Sequence, residues 1–296
     1  MQPYRNILVA IACAGPDRAL LEYAAMLGSF EGTNFHLVHV LPTESSMTER
    51  EARECIAAEL PPAVRDMLNA GRISCSVLRG DRLDALLQFA AAKRADVVLL
   101  GHRRNRSGRR SLARRLAMSA PCSVWLVPEG CPAKLERILV PVDFSVRAAD
   151  AIGVAATLAA AAGLEKCYAL HVRFSSAAVT FDEYEEIEMA EEQDAFALFL
   201  ARIDLHDVNV EPIFEEGSNV TATIRRVAEE KSADLIVMGT RGRSRAASVL
   251  LGSETEQTII ESTLPVLAVK HFGARLRLLQ VLLKERFRQQ GDLRFT

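Results

Sequence analysis

The sequence predicts an α/β protein with two tandem five-stranded parallel-sheet domains and a C-terminal helix. The first observation is length, because 296 residues exceed what one hydrophobic core usually organises. The second is a repeat, in which strand-like apolar segments recur in the same order in both halves of the chain. The third is the alternation of these segments with helical patterns, which is typical of a parallel sheet with helices on both faces.

The first two strands of each half are the clearest part of the repeat. Residues 5–12 match residues 137–143, and residues 35–40 match residues 167–172. All four are short runs rich in branched apolar residues, which indicate buried strands. Residues 5–13 also have the look of a short export signal. The match to 137–143 identifies them instead as a first strand.

The remaining three strands follow in the same order. A weaker third strand is predicted at residues 73–78 and 208–214. Pro212 places the second of these at a sheet edge, because proline donates no backbone hydrogen bond. The fourth strand is predicted at residues 95–101 and 233–239, and the fifth at residues 121–127 and 265–269.

Between the predicted strands lie segments whose apolar residues recur with the period of an α-helix. After Asp81, a suitable N-cap residue, Leu83, Leu86, Leu87 and Ala90 recur with the period of one helix face. The uncharged, Ala-rich segment 151–164 falls short of the roughly 20 residues that span a bilayer, so it is predicted as a buried helix. The helical spacing recurs in the second half at Ile224, Val227 and Ala228.

Turn residues at 129–134 separate the two halves, so the predicted domains are residues 1–132 and 133–270. Residues 271–296 have no counterpart in the first half and are predicted to form a basic amphipathic helix. Docking of this tail onto its own protein or a second subunit is favoured, with membrane-surface binding as the alternative. Its apolar positions are Leu276, Leu279, Leu283 and Phe287.

Composition narrows the class of protein. The chain is 49% hydrophobic and 25% charged with a formal net charge of −2, which fits a soluble globular protein and does not indicate nucleic-acid binding. Its six cysteines form no Cys-x-x-Cys pair and no regular spacing. Neither a disulfide framework nor a zinc site is therefore predicted, and reduced thiols in the cytoplasm are expected.

A glycine-rich segment follows the fourth strand of the second half, where open α/β sheets place their ligands. Gly239 and Gly242 are followed, after nine further residues, by Gly252 and Ser253. Glycines let the backbone approach a ligand, and the free N–H groups at the start of the next helix attract an anion. The spacing differs from the dinucleotide fingerprint and from the P-loop, so the glycines alone are weak evidence.

This spacing, with a first strand that ends Val-Pro-Val-Asp-Phe-Ser, resembles the universal stress protein family. The resemblance covers nearly the whole chain, twice, and leaves out only the tail. It implies a Rossmann-like, adenine nucleotide alpha hydrolase-like fold and an ATP site in the second half, with magnesium arriving on the nucleotide. By position it implies Pro141, Val142 and Asp143 beside adenosine, Val172 at the base, and Met238, Gly239, Gly242, Gly252 and Ser253 around ribose and phosphates.

The first half departs from this pattern. Ala12 replaces the aspartate, and the loop after Gly101 is about six residues shorter. Gly108 and Arg109 are aligned with the Gly252-Ser253 pair. We therefore predict that the first half does not bind ATP in the same way.

Three further residues are given a structural interpretation. His39 and His171 occur at the same position of both halves, so they are interpreted as strand packing. Glu254 stands where the family commonly has a small or branched apolar residue. We interpret it as a favourable charge at a helix start, with metal bridging as the alternative.

The first-half loop is instead rich in arginine, which attracts phosphate groups. It has no interleaved aromatic residues to stack bases, so nucleic-acid binding is not favoured. A solvated helix start, or pairing with the acidic residues of a predicted helix at 182–194, is favoured. The arginines are Arg103, Arg104, Arg106, Arg109, Arg110, Arg114 and Arg115.

No serine-histidine-acid arrangement, metal-ligand cluster or base near the loop stands out, so binding is favoured over catalysis. Three hypotheses remain: an ATP-binding regulator of an unidentified protein partner, a slow ATPase or autophosphorylating protein, and a nucleotide-free scaffold. The resemblance also implies that residues 123–127 pair with residues 266–269 inside one chain, which would cover two sheet edges. Association of two chains as a homodimer stays open.

Overall fold

The fold was analysed in a computed structural model of the chain. It describes residues 4–13, 17–28, 33–102, 111–173, 182–240 and 251–270, with side chains described from residue 189 onward in the fifth of these ranges.

Strands and helices alternate through the first half, as the repeat predicted. The elements are β1 (Asn6–Ile11), α1 (Asp17–Gly28), β2 (Asn34–Leu41), α2 (Glu49–Glu59), α3 (Pro62–Asn69), β3 (Ile73–Arg79), α4 (Arg82–Ala92), β4 (Val97–His102), α5 (Leu112–Ser119) and β5 (Ser123–Pro128).

The second half repeats this order with one long helix after its second strand. The elements are β6 (Ile138–Val142), α6 (Val146–Ala161), β7 (Lys166–Arg173), α7 (Asp182–Leu200), β8 (Asn209–Glu216), α8 (Val220–Glu230), β9 (Leu235–Gly239), α9 (Ser253–Glu261) and β10 (Val266–Val269).

The described strands join into one ten-stranded sheet in the order β3-β2-β1-β4-β5-β10-β9-β6-β7-β8. Pairing is parallel within each half and antiparallel between β5 and β10, where Trp125 lies opposite Leu267. The predicted pairing of the two fifth strands is thus confirmed. β8, which contains Pro212, lies at the sheet edge as predicted.

Helices cover both faces of the sheet and enclose two cores. One core contains residues of α1, α2, α3, α6 and α7, such as Leu20, Ile152 and Phe196. The other contains residues of α4, α5, α8 and α9, such as Leu116 and Ile259. The chain is therefore a three-layer α/β/α protein. Among the described helices, none combines the length and apolarity that crossing a bilayer requires.

Some contacts repeat in both halves and serve the fold. The Nδ1 atom of His39 donates to the carbonyl oxygen of Ile11, and the Nδ1 atom of His171 donates to the carbonyl oxygen of Val142. The distance from nitrogen to oxygen is 2.9 Å in both bonds. These bonds tie the second strand of each half to the first. The interpretation of both histidines as strand packing is confirmed.

Helices α2 and α3 were not predicted from the sequence, although capping signals mark both. The Thr48 hydroxyl accepts from the Glu51 N–H, and the Glu51 carboxylate accepts from the Thr48 N–H, which forms a capping box. Pro62 occupies the first position of α3, where the missing N–H costs no helical hydrogen bond.

All six cysteines lie in described segments and are free thiols. Cys122 and Cys167 are almost completely buried, and burial raises the pKa of each thiol to about 12.

We expect brief treatment of the native protein with iodoacetamide at about pH 8 to leave Cys122 and Cys167 unmodified. Only the thiolate reacts, and a pKa three units above the ordinary value lowers the thiolate fraction roughly a thousandfold. Mass spectrometry of tryptic peptides measures the modification at each site. The same protein in urea is the control, and equal labelling of either residue in both states would contradict the expectation.

Candidate functional site

The chain reverses its winding direction between β6 and β9, which are neighbours in the sheet. From β6 the chain proceeds to β7 on one side, and it later returns to β9 on the other. A crevice at the carboxyl ends of such strands is the usual ligand position in an open α/β sheet. Pro141, Val142 and Asp143 lie at the end of β6, and Met238 and Gly239 at the end of β9.

The turn after β6 holds the Asp143 carboxylate in place. Its Oδ1 atom accepts a hydrogen bond of 3.1 Å from the Ser145 N–H. Ser145 is in turn the N-cap of α6, because its hydroxyl accepts from the Ala148 N–H at 3.2 Å. A fixed carboxylate at this edge is well placed to accept a hydrogen bond from a ligand hydroxyl or amine.

The residues predicted to contact the nucleotide divide between the two faces of the sheet. Val172 and Met238 pack with the core on the α8 and α9 side. Val142 packs on the α6 side, and its carbonyl oxygen accepts from His171. Phe144 lies on that second side as well, stacked on the His171 ring at 4.4 Å between ring centroids. A ligand beside α9 would therefore meet the side chains of Val172 and Met238.

Gly239 permits a close approach of α6 to β9. A β carbon at this position would lie 3.0 Å from the carbonyl oxygen of Arg147, in the first turn of α6. The corresponding glycine of the first half, Gly101, has no described atom within 4 Å of such a carbon. Packing therefore requires glycine at position 239 of the second half, whereas the described residues around Gly101 impose no such requirement.

The start of α9 is fastened to the end of β9. The Gly252 N–H donates to the Thr240 carbonyl oxygen over 2.8 Å, and the Thr255 hydroxyl donates to the Gly239 carbonyl oxygen over 2.9 Å. Gly252 is the N-cap of α9 and has no side chain to cap it. Within the part of the chain that the structure describes, no side chain caps the backbone N–H groups of Ser253, Glu254 and Thr255 at the mouth of the crevice.

The equivalent helix of the first half is capped. The Ser111 hydroxyl accepts from the Arg114 N–H at the start of α5. Ser111 therefore has in α5 the N-cap position that Gly252 has in α9. Gly108 and Arg109, which the sequence aligned with Gly252 and Ser253, lie outside the described residues.

A buried carboxylate lies at the end of the first strand in the first half. The Asp17 side chain, which is only 3% exposed, accepts a hydrogen bond of 2.8 Å from the Ala12 N–H at the end of β1. Sequence reasoning noted the loss of an aspartate at position 12 and missed this replacement. The signal was an acidic residue in the first turn of α1.

The two polar side chains that follow Gly252 face each other. One Glu254 oxygen accepts from the Thr221 hydroxyl at 3.1 Å, and the other lies 3.5 Å from the Ser253 hydroxyl. Glu254 thus lies between the first turns of α8 and α9, as expected of a helix-start charge. Among the described residues no group of three or more metal-ligating side chains is arranged to hold an ion.

Three predicted features fall wholly or largely outside the described residues, and the first is the amphipathic tail predicted at residues 271–296. Gly242 lies in the gap between residues 240 and 251, and most of the arginine cluster lies between residues 102 and 111. Within the cluster, Arg114 is described and forms an ion pair with Glu256. The expected pairing of the cluster with acidic residues of 182–194 stays a prediction, because residues 103–110 and the side chains of residues 182–188 lie outside the described part of the chain.

Comparison with known proteins gives a consistent picture. A family model described as the universal stress protein family matches residues 3–128 and 134–270. A curated universal stress protein from Thermus aquaticus is 36% identical over 84 residues, which cover 28% of this chain and 58% of that protein. The curated matches span between 25% and 58% of the relatives' own length.

Two solved structures resemble almost the whole chain. A protein of unknown function from Pseudomonas aeruginosa has a TM-score of 0.70 and 19% identity, covering 95% of this chain and 98% of that one. A universal stress protein from Archaeoglobus fulgidus has a TM-score of 0.61 and 21% identity, covering 91% and 97%. At these identities the likeness shows the fold alone.

Proposed function

Because the chain belongs to the universal stress protein family through matches in both of its halves, we propose that its second half is an ATP-binding regulatory module and that its first half binds no nucleotide. The bound nucleotide favours one conformation of the protein and thereby sets its affinity for a regulatory protein partner. We also propose a domain boundary between residues 132 and 133, which lie in the connection from β5 to β6.

The observation that carries this proposal is the uncapped start of α9 at the crevice between β6 and β9. Three backbone N–H groups and the positive end of the helix dipole converge there, which is a ready-made anion site. The first half differs at both places, since the Ser111 hydroxyl accepts from the Arg114 N–H at the start of α5 and the buried Asp17 side chain accepts from the Ala12 N–H at the end of β1.

We propose the following contacts to an adenine nucleotide. Asp143 would accept a hydrogen bond from adenosine, and the side chains of Val172 and Met238 would contact the base side of the crevice. The phosphates would lie against Gly252, which has no side chain in the way, and would accept from the Ser253 hydroxyl and from the backbone N–H groups that begin at Ser253. Magnesium would be held mainly by the phosphates, since Glu254 is already hydrogen-bonded to Thr221.

Nucleotide released from freshly purified, denatured protein tests the proposal directly. Chromatography and mass spectrometry identify and quantify the small molecule. We expect adenine nucleotide at a ratio approaching one per chain. Absence of nucleotide, together with no heat of binding when ATP is added, favours the scaffold hypothesis instead.

Slow ATP hydrolysis in the same pocket is the second candidate function. Phosphate release by the wild type, compared with Asp143→Ala, distinguishes it from binding alone. A hydrolysis rate that exceeds the background and falls with the variant would favour the ATPase. A rate equal to background in both proteins would favour the regulatory module.

Replacement of Ser253 by alanine is expected to weaken ATP binding about ten- to a hundredfold, because a hydrogen bond to a charged group contributes roughly 1.5–3 kcal/mol. Isothermal titration calorimetry measures the change. Ser111→Ala in the first half is the matched control and should leave the affinity unchanged. Equal affinity of wild type and Ser253→Ala would remove the hydroxyl from the site.

A further inference from the structure

An ion pair joins the two halves beside the proposed anion site. The Arg114 Nε atom of α5 lies 2.5 Å from the Glu256 Oε1 atom of α9. The two side chains are only 18% and 25% exposed, so the pair is largely shielded from solvent. Such pairs are screened less by salt than exposed ones.

The pair is close to the start of both helices. Glu256 is the fourth residue of α9, so its Cα lies about 4.5 Å along the helix axis from that of Ser253. Arg114 is the third residue of α5. The other end of α5 is also held by the second half, because the Lys270 ammonium donates to the carbonyl oxygens of Ala117 and Met118. α5 is thus fixed to the second half near both of its ends.

Two carboxylates near the start of α9 stabilise the helix but repel a bound phosphate. Glu254 and Glu256 both lie in its first turns, where carboxylates interact favourably with the helix dipole. The same two negative charges oppose an incoming phosphate. Glu254 accepts from the Thr221 hydroxyl, which is a neutral group, whereas Glu256 is paired with the guanidinium of Arg114.

We propose that Arg114, supplied by the half that lacks the phosphate loop, is a positioning and charge-compensating residue for the anion site at the start of α9. This inference rests on the proposed function of the second half. The first half would then have two roles at the site of the second half. Arg114 would neutralise the charge of one of the two carboxylates beside the phosphates, and α5 would hold α9 in position.

The proposal predicts opposite effects for the two partners. Arg114→Ala leaves a bare carboxylate near the phosphates and should weaken ATP binding about five- to tenfold. Glu256→Gln removes that carboxylate and should tighten binding by a similar factor. The double variant should bind about as well as the wild type, because neither charge remains.

Isothermal titration calorimetry with MgATP, at low and at high salt, tests these signs. Arg115→Ala is the matched control, because Arg115 is an exposed arginine at the next position of the same helix. Circular dichroism and thermal unfolding verify that each variant is folded, and Arg114→Lys keeps the charge should Arg114→Ala unfold. The difference between Arg114→Ala and wild type should shrink at high salt.

The outcomes separate the inference from the function on which it rests. If the wild type binds no nucleotide, the proposed function fails and takes the inference with it. If the wild type binds and Arg114→Ala matches Arg115→Ala, only the inference fails. If Glu256→Gln weakens binding as much as Arg114→Ala does, the pair is a purely structural contact and the charge argument is overturned.

Discussion

The Gly252→Asp variant is expected to bind ATP more than a hundredfold more weakly than the wild type while remaining fully folded. Gly252 has φ −70° and ψ 150°, a conformation that any residue adopts, so aspartate introduces no backbone strain. Its carboxylate would accept from the first-turn N–H groups of α9. An internal anion then occupies the position proposed for phosphate.

The same substitution should leave stability unchanged or raise it by up to about 1 kcal/mol, because aspartate is a better N-cap than glycine and interacts favourably with the helix dipole. Urea unfolding measures the stability and calorimetry measures the affinity. Loss of binding with no loss of stability is a signature that a misfolded variant cannot produce.

Gly252→Asn and Gly252→Ser complete the test. Asparagine caps the helix without a charge, and serine reproduces the Ser111 cap of the first half. Both should weaken ATP binding less than aspartate does, because neither side chain brings a negative charge to the phosphate position. Full ATP affinity in Gly252→Asp would show that the phosphates do not lie at the start of α9.

Gly239→Ala is expected to destabilise the protein by about 1–3 kcal/mol and to weaken ATP binding, because extra volume in a packed site forces the backbone to move. The added methyl group would lie 3.0 Å from the Arg147 carbonyl oxygen and 3.1 Å from its carbonyl carbon. These are backbone atoms of a helix start and cannot rotate away. Either α6 or the end of β9 must shift.

The first half provides the matched control for this prediction. Gly101 ends β4 as Gly239 ends β9, and the described residues leave open space around its Cα. Gly101→Ala should therefore change neither stability nor affinity measurably. Urea unfolding and calorimetry of both variants measure the difference, and equal behaviour of the two alanine variants would mean that α6 does not constrain β9.

The strands and their order could be read from the sequence because a duplicated chain shows each of them twice. The apolar runs at β1 and β6, or at β4 and β9, each indicate a buried parallel strand. Because the two halves agree, the weaker signals at β3 and β8 could also be interpreted as strands, which gives five strands in each half. Helices α2 and α3 have no counterpart in the second half, where α7 takes their place. The repeat therefore gave no support for them, and only local capping residues marked them.

The position of the candidate site was also largely predictable, since the ends of neighbouring parallel strands must meet at one edge of the sheet. Asp143, Met238, Gly239, Gly252 and Ser253 occupy that edge or the helix start beside it. The division of Val142 and Val172 between opposite faces was not predicted. It depends on strand register, which a motif does not specify.

By itself the sequence determined the duplicated α/β architecture and the difference between the two halves in strand ends and glycine spacing, because these follow from local apolar patterns and from the positions of glycines. The contact of the two fifth strands was expected only from the family resemblance, and its antiparallel direction came from the structure. Only the tertiary structure decided which partner each charged side chain contacts. Asp17 reaches Ala12, Glu254 reaches Thr221 and Arg114 reaches Glu256, 142 residues away. Such pairs are set by how helices pack on the sheet, and the order of residues along the chain carries no direct record of that packing.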